Sequence, residues 1–595
     1  MGIPGFFAWI RKRCPFVLQK VGRYQTVAKE LSKKSISRNF NNPKETKETN
    51  ESQPVGNLCL DMNCIIHEAA QKIFKYGSHK QLESKIHSNR TFPFPVMKKR
   101  MFLEIGKIID NLVDQIKPNK RLLIMVDGPA GKSKRAQQRS RRYRSAQDTE
   151  KKFDTNAISP GTELMDHLSK YLDYHIRLRI TQDLSWSKLQ VIYSSHQVPG
   201  EGEHKLLSFI RKFCDSKESF VLYGLDADLI MLCLSIQNRL SIHSEIPPFW
   251  IVREDQYEPG LFILDISLFR EWLISELTWG MDCSRTEVID DFIFVCFLLG
   301  NDFLPHSPSV DLLDGGIELL FSSYVLAGEK HQAHLITQTK DNKKIPVFSI
   351  NTKVFKELLF QLTLTEKSLL EESIKKDVFA DPLLQKYITV SLNEEQDEKK
   401  GKTILNYDGY REEFYKTKLS GTTSAQVCHD FFRGMEWVFY YYTLGIPSWD
   451  WMYPYAYSPF AKEMFEHIDI YQSKPFVLGK PITPFLQLLT ILPPQSKDLL
   501  PKPLDSLLDG LPTEIKLDLA GKKFDWQAVV ILPDLPEKLL EEQYNRLINH
   551  VDSQIRKRDS HWSEYIYVYD ASKNYPFKSY YGTFDSAAKV VMLRE

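Results

Sequence analysis

Four short apolar runs in the first half of the chain predict buried β-strands: NLCLD (57–61), LLIMVD (122–127), LQVIYSS (189–195) and FVLYGLD (220–226). Apolar runs of this length are typical of strands that are covered on both faces of a parallel sheet. The segments between them, such as 101–116, show the helical spacing of apolar residues. This alternation predicts an α/β fold with a mostly parallel central sheet flanked by helices.

Polar and charged stretches divide the chain into segments. Residues 24–56 are polar and poor in aromatic side chains, which predicts a solvated insertion or long loop. A second charged stretch, at 391–403, predicts a linker. We therefore expect a core at 1–390 and a second, helical and aromatic-rich segment at 404–595 that packs against it. Within the second segment, the aromatic run WVFYYY (437–442) is typical of core packing.

The composition is that of an ordinary globular protein, with 42% hydrophobic and 26% charged residues among 595. No apolar run approaches the roughly 20 residues of a membrane span, and the start, MGIPGFFAWIRKRCP, is not a secretory signal. The 8 cysteines form no CxxC pair, which indicates reduced thiols and an intracellular protein. We expect a monomer in the cytoplasm rather than the nucleus, because no nuclear localisation cluster lies outside one basic helix.

Acidic residues recur at the ends of the predicted strands and in the loops beside them. The set comprises Asp61, Asp127, Glu201, Glu203, Asp226, Asp228 and Asp302. The carboxyl ends of parallel strands meet at one edge of the sheet, where ligands bind in such folds. Clustered carboxylates repel one another unless cations neutralise them, and hard oxygen ligands suit Mg²⁺ or Mn²⁺. Any single acid here is more simply a helix cap or a solvated side chain, but the whole set predicts a two-metal site for phosphodiester cleavage.

Positive charge is concentrated in one predicted helix, although the formal net charge of the chain is only +2. In KSKRAQQRSRRYR (132–144), seven of the thirteen residues are Lys or Arg. Four polar side chains share one helical face, which suits a terminal phosphate: Lys134, Gln138, Arg141 and Arg142. For three of the other basic residues, a solvated charge run or a general contact with an RNA backbone is the simpler interpretation: Lys132, Arg135 and Arg144.

The order of these motifs resembles the Xrn family of 5′→3′ exoribonucleases. The matching strings are MGIPGFFAWI at the start, LDMNCIIH (60–67), VDGPAGKSKRAQQRSRRYR (126–144), SPGTELM (159–165), VPGEGEHK (198–205), GLDADLIML (224–232) and LLGNDFLPHSPS (298–309). The second segment adds WVFYYYTLGIPSWDWMYPYAYSPF (437–460), LPPQSKDLLP (492–501) and LAGKKFDWQAVVILP (519–533). Flap-type nucleases share related acids, so the ordered combination is more specific than GEGEHK or DADLI alone. We expect a compact member of the family without long C-terminal extensions.

The resemblance implies a core like that of PIN and flap nucleases, in which the seven acids are catalytic ligands for two Mg²⁺ or Mn²⁺ ions. The residues that it assigns to a 5′-monophosphate are Lys134, Gln138, Arg141 and Arg142. It also implies that His67 stacks on the 5′-terminal base together with either Trp449 or Trp451, and the spacing does not decide between the two tryptophans. The implied substrate is single-stranded RNA with a 5′-monophosphate, degraded 5′→3′ to mononucleotides in RNA decay.

Two other functions stay open at this level. A flap-type endonuclease shares the acids, but it does not require the GKKFDWQ and YPYAYSPF segments or a closed phosphate site. An inactive RNA-binding scaffold has no physical reason to retain a cluster of repelling carboxylates. RNAs that differ only in their 5′ ends would separate the three functions.

Overall fold

The computed structural model describes residues 3, 5–22, 26–31, 36–38, 46–48, 54–77, 93–147, 153–215, 217–240, 246–254, 260–280, 283–312, 315–340, 346–376, 381–391, 402–519 and 528–593. Much of the predicted insertion at 24–56, residues 392–401 of the predicted linker and residues 520–527 of the second segment lie outside the described residues. No helix in the described residues combines the length and the apolar character needed to cross a membrane.

The centre of the protein is a nine-stranded sheet. The strands of the described residues are β1 (Leu18–Lys20), β2 (Ile36–Arg38), β3 (Thr46–Glu48), β4 (Asn57–Asp61), β5 (Arg121–Met125), β6 (Gln190–Ser194), β7 (Phe220–Tyr223), β8 (Phe249–Glu254), β9 (Leu261–Asp265), β10 (Ile336–Lys340), β11 (Pro346–Ile350), β12 (Ile388–Ser391), β13 (Lys402–Leu405), β14 (Lys516–Asp518), β15 (Val529–Ile531), β16 (Tyr565–Tyr569), β17 (Tyr575–Ser579), β18 (Gly582–Ser586) and β19 (Ala588–Met592). The sheet order is β1-β9-β8-β7-β4-β5-β6-β16-β19. The five central strands, β4 to β8, are parallel, and the outer strands pair antiparallel on both sides. The predicted α/β fold is confirmed, with the four predicted runs as β4 to β7.

Helices cover both faces of this sheet. Those of the described residues are α1 (Phe6–Arg13), α2 (Val27–Leu31), α3 (Met62–Phe74), α4 (Phe94–Ile116), α5 (Lys132–Ala146), α6 (Glu163–Gln182), α7 (Gly202–Phe213), α8 (Asp228–Leu240), α9 (Ile266–Leu277), α10 (Arg285–Val295), α11 (Gly316–His331), α12 (Thr352–Lys376), α13 (Pro382–Gln385), α14 (Tyr407–Lys418), α15 (Ser424–Thr443), α16 (Ala461–His467), α17 (Pro484–Ile491), α18 (Glu537–Leu547) and α19 (Ser553–Arg556). Helices α3, α4 and α6 pack on one face, and α7 to α10 pack on the other.

Side chains of the central strands alternate between two hydrophobic cores. In β4, Leu58 and Leu60 join the core under α3, α4 and α6, whereas Cys59 joins the opposite core, and all three are fully buried. Both faces of the sheet are therefore covered. This explains why the central strands have unbroken apolar sequences rather than alternating ones.

The second segment completes the central sheet. Strand β16 pairs antiparallel with β6, and β19 pairs with β16. The aromatic helix α15 packs against α8 and α10, and its Trp437 and Tyr442 are buried. The predicted core packing of the aromatic run is confirmed, and the two segments share one sheet. The domain boundaries themselves stay a prediction.

Candidate active site

Two aspartates lie at the carboxyl ends of neighbouring strands. Asp61 ends β4 and caps α3, because its side chain accepts a hydrogen bond from the backbone N–H of Asn63 at 3.3 Å. Asp127 follows β5, and its Oδ1 accepts a hydrogen bond from the backbone N–H of Gly202 at 2.6 Å. The side-chain amide of Asn63 donates to Asp127 Oδ2. Asn63, which no sequence motif singled out, therefore connects the two carboxylates.

The glycine between the two glutamates of GEGE has a steric role. A Cβ on Gly202 would lie 2.9 Å from the carbonyl oxygen of Met125 and 3.0 Å from Asp61 Oδ1. Glycine therefore allows the first turn of α7 to approach the ends of β4 and β5 closely. As a result Glu201 and Glu203, on either side of it, line the same cavity as the strand-end aspartates.

A lysine lies among the acids. The Lys134 ammonium, on α5, lies 2.5 Å from Glu201 Oε2 and 2.7 Å from Asp302 Oδ2. Burial lowers the pKa of Lys134, but the charges of Asp302 and Glu201 outweigh this effect and hold the pKa well above its usual range. The ammonium is therefore charged and neutralises part of the acidic cluster.

A tyrosine of the second segment contacts one of the acids. The hydroxyl of Tyr441, on α15, donates to Glu201 Oε1 at 2.6 Å. The Tyr441 ring stacks on the His204 imidazole, with centroids 3.6 Å apart and an interplanar angle of 9°. Both oxygens of Glu201 are thus held, one by Tyr441 and one by Lys134. The aromatic run predicted core packing only, and nothing in it indicated this contact.

The remaining carboxylates repel one another. Burial, followed by the charges of Asp127 and Asp226, raises the pKa of Asp61 well above its usual range. Burial and the adjacent Glu201 raise the pKa of Glu203 in the same way. Such shifts mean that the ionised forms lack enough positive charge around them, and a bound cation would supply it.

The donor chemistry of the cluster fits a hard divalent cation, since every predicted ligand offers carboxylate oxygens. Burial and the neighbouring Asp302 raise the pKa of Asp228 to about 7. In the described part of the chain, Asp228 Oδ1 is buried without a hydrogen-bond partner. As the side chains stand, no three His, Cys, Asp or Glu of the described residues converge to hold an ion. Binding of an ion therefore requires side-chain rotations, and at Glu201 and Asp302 the ion would compete with the Lys134 ammonium.

A cavity of about 900 Å³ brings most predicted site residues together. Five of the seven acids line it: Asp61, Asp127, Glu201, Glu203 and Asp226. Asp228 and Asp302 are not part of the lining, although Asp302 contacts Lys134 in the cavity wall. The predicted phosphate ligands also line the cavity: Lys134, Gln138, Arg141 and Arg142. The candidates for metal binding and for phosphate binding therefore share one cavity.

Gln138, Arg141 and Arg142 form what we call the basic wall of the cavity. The loop before α6 holds part of this wall in place. Arg142 donates to Ser159 Oγ at 2.6 Å and to the Asn156 carbonyl oxygen at 3.3 Å. Arg141 is exposed in the wall. Gln138 Oε1 is buried, and in the described part of the chain it has no hydrogen-bond partner. The wall thus offers polar groups to a ligand.

The other basic residues of α5 do not line this cavity. Lys132 pairs with Glu537 at 3.3 Å, Arg135 donates to the Ala130 carbonyl oxygen at 3.2 Å, and Arg144 donates to a backbone carbonyl of the second segment. All three join α5 to its surroundings. The expectation of a solvated run is wrong for Arg135, which is buried, whereas contact of Lys132 and Arg144 with RNA stays a prediction.

His67 lines the cavity beside the basic wall. Burial, followed by the charges of Arg141 and Arg142, lowers the pKa of His67 to about 4. The imidazole is therefore neutral at pH 7, which suits stacking on a base.

Neither candidate tryptophan is among the described residues that line the cavity. Trp451 stacks on the buried Trp437, with centroids 5.2 Å apart and an interplanar angle of 25°. The carbonyl oxygen of Trp449 accepts a hydrogen bond from the backbone N–H of Lys132 at 2.8 Å, which places it at the start of the basic helix. The choice between them stays open.

Comparison with known proteins identifies the family. A family model described as the XRN 5′-3′ exonuclease N-terminus matches residues 1–254, and one described as the Xrn1 helical domain matches residues 282–378 and 364–593. The chain is 28% identical to 5′-3′ exoribonuclease 1 of Saccharomyces cerevisiae, over 97% of this chain and 45% of that protein. It is 29% identical to 5′-3′ exoribonuclease 1 of Homo sapiens, over 97% of this chain and 36% of that protein.

A third relative is matched over more of its own length. This is 5′-3′ exoribonuclease 2 of Debaryomyces hansenii, 27% identical over 100% of this chain and 74% of that protein. The chain thus spans less than half of the two exoribonucleases 1 and about three quarters of this exoribonuclease 2. The resemblance seen in the sequence motifs is confirmed, and the chain belongs to the Xrn family of 5′→3′ exonucleases.

Proposed function

We propose that this chain is a metal-dependent 5′→3′ exoribonuclease that degrades single-stranded RNA carrying a 5′-monophosphate and releases mononucleotides in RNA decay. The observation that carries the proposal is the shared cavity, in which buried carboxylates face the basic side chains of α5. Relatives named 5′-3′ exoribonucleases, matched over nearly the whole chain, support it.

The terminal phosphate is proposed to bind the basic wall. Arg142 is held in place by Ser159 and Asn156, so little side-chain entropy is lost when it binds a phosphate. Arg141, Gln138 and Lys134 line the same cavity and complete the proposed site. Guanidinium groups form forked, charge-assisted hydrogen bonds with phosphate oxygens, each worth about 1.5–3 kcal/mol. A monophosphate with nearly two negative charges would therefore bind this wall much more strongly than an uncharged 5′-hydroxyl would.

The acidic cluster is proposed to hold two Mg²⁺ or Mn²⁺ ions. The ligands are Asp61, Asp127, Glu201, Glu203, Asp226, Asp228 and Asp302. When bound, such ions supply charge stabilisation to phosphodiester hydrolysis. The chain's own groups orient the ligands: Asn63 and the Gly202 N–H hold Asp127, and Tyr441 holds Glu201. His67, with Trp449 or Trp451, is proposed to stack on the 5′-terminal base, which orients the scissile bond without reading sequence.

The test compares four RNAs of one sequence whose 5′ ends carry a monophosphate, a triphosphate, a hydroxyl or a cap. With purified protein and Mg²⁺, the monophosphate RNA should decay fast, the hydroxyl RNA slowly, and the other two should resist. We expect the basic wall to enclose a single phosphate and therefore to exclude a bulkier 5′ end. Equal decay of all four RNAs, or decay that persists in excess chelator, would contradict the proposal, and internal cuts would favour the flap-type endonuclease.

A further inference from the structure

A second cavity lies away from the candidate active site. It measures about 840 Å³ and is formed by α4, α6, the end of β6 and the strands β16 and β17. We call it the C-terminal cleft, defined by residues 95–102, 166–177, 193–197, 562–567 and 577–590 at its wall. It shares no lining residue with the cavity that contains the acids.

Exposed aromatic rings line the C-terminal cleft. Tyr580 is 87% exposed and Trp562 is 50% exposed. The Tyr581 ring lies against Tyr580, with centroids 5.3 Å apart and an interplanar angle of 89°. Tyr581 is anchored, because its hydroxyl donates to the carbonyl oxygen of His167 at 2.9 Å. The anchored Tyr581 ring therefore packs against the exposed Tyr580 ring. Exposed apolar groups around a concave surface indicate a binding site.

The C-terminal cleft is also positively charged. Its basic side chains are Lys98, Lys99, Lys170, Arg177 and Lys578. Its described acidic side chains are Asp166 and Asp173, so five positive and two negative charges leave an excess of three positive charges. One of the five cations, Lys98, also lies 3.7 Å from Glu163 Oε1. Both acids are already paired within the cleft, Asp166 with Lys170 at 2.7 Å and Asp173 with Arg177 at 3.0 Å. A ligand that combines flat rings with negative charge complements this surface.

We propose that the C-terminal cleft binds a single-stranded stretch of RNA, with bases stacked on Tyr580 and Trp562 and phosphates near Lys99 and Lys578. Aromatic faces among cations are the combination that binds single strands of any sequence. This inference rests on the proposed function only in taking RNA as the ligand, since the cleft needs no 5′ end. Such a contact outside the active cavity keeps a long RNA attached between successive cleavages.

The test uses a circular, unstructured single-stranded RNA, which has no 5′ terminus to enter the basic wall. Its Kd is measured by fluorescence anisotropy in excess chelator, so that no cleavage occurs. The double variant Tyr580→Ala, Lys578→Ala should raise the Kd about tenfold or more, and tenfold corresponds to about 1.4 kcal/mol. Both side chains are exposed, so the fold does not depend on them. The matched control is Tyr569→Ala, Lys573→Ala, two exposed residues outside the cleft, and it should bind like the wild type.

Equal Kd values for the wild type, the cleft variant and the control variant would overturn the inference. So would a wild-type protein that binds linear monophosphate RNA but not the circle, and the cleft would then fit a peptide better than RNA. Because the circle cannot present a 5′ end, this result is independent of the four-RNA decay assay. Loss of exonuclease activity and loss of cleft binding are therefore distinguishable.

Discussion

Replacing Lys134 by Met should destabilise the protein strongly in the absence of divalent cations. Lys134 is 9% exposed, and its ammonium lies 2.5 Å from Glu201 Oε2 and 2.7 Å from Asp302 Oδ2. Methionine keeps most of the volume but leaves two buried carboxylates without their cation. Removing one partner of a buried ion pair costs about 3–5 kcal/mol. Urea unfolding of Lys134→Met in excess chelator, followed by tryptophan fluorescence, should show a loss of that order.

Added Mg²⁺ should raise the free energy of unfolding of the variant more than that of the wild type, since the variant has no ammonium to displace. Saturation at a hundred times Kd adds about 2.7 kcal/mol of stability. The matched control is Lys132→Met on the same helix, whose partly exposed contact with Glu537 should be worth less than about 1 kcal/mol. If Lys134→Met unfolds like Lys132→Met, or if Mg²⁺ stabilises the wild type just as much, then Lys134 does not neutralise the cluster in the way described.

Three further outcomes follow from the site. Tyr441→Phe removes the hydroxyl that donates to Glu201 Oε1. It should weaken Mg²⁺ binding by about 1–3 kcal/mol, measured by calorimetric titration. An unchanged Kd would mean that Lys134 alone orients Glu201. Arg141→Ala, Arg142→Ala should narrow the preference for monophosphate over hydroxyl RNA by two to four decades, if two contacts of about 1.5–3 kcal/mol each are lost, and an unchanged ratio would remove the phosphate site. Because the pKa of His67 falls from 6.5 to about 4 on folding, its contribution to stability is present above pH 6.5 and is lost as the pH falls towards 4. His67→Phe should therefore lose less thermal stability than the wild type between pH 7 and pH 5, and parallel losses would contradict the buried neutral imidazole.

Local patterns predicted the central strands well. NLCLD became β4 residue for residue, because a strand covered on both faces must be apolar throughout. The proximity of the acids at the ends of β4 and β5 was also predictable, since parallel strands bring their carboxyl ends together. The pairing of β16 with β6 did not follow, because their sequences lie hundreds of residues apart and the local sequence of a strand does not identify its partner.

The contacts that the sequence did not predict have a common physical cause. Helical periodicity placed Lys134 on the phosphate face, but it could not say how deep that residue lies, and the depth pairs it with Glu201 and Asp302. Arg135 belongs to the same basic run, yet it is buried against the backbone. Asn63 and Tyr441 have ordinary local explanations, as a polar residue in a first helical turn and as part of an aromatic core. Their functional contacts exist only in three dimensions.

The direction of cleavage tests the central claim most directly. One single-stranded RNA with a 5′-monophosphate is labelled in separate samples at its 5′ and 3′ ends and incubated with the protein and Mg²⁺. The 5′-labelled RNA should release labelled mononucleotide from the first time point, while the 3′-labelled RNA shortens progressively, and Asp226→Ala should stop both. Labelled fragments longer than a mononucleotide from the 5′-labelled RNA, or full activity in the folded Asp226→Ala variant, would contradict the account.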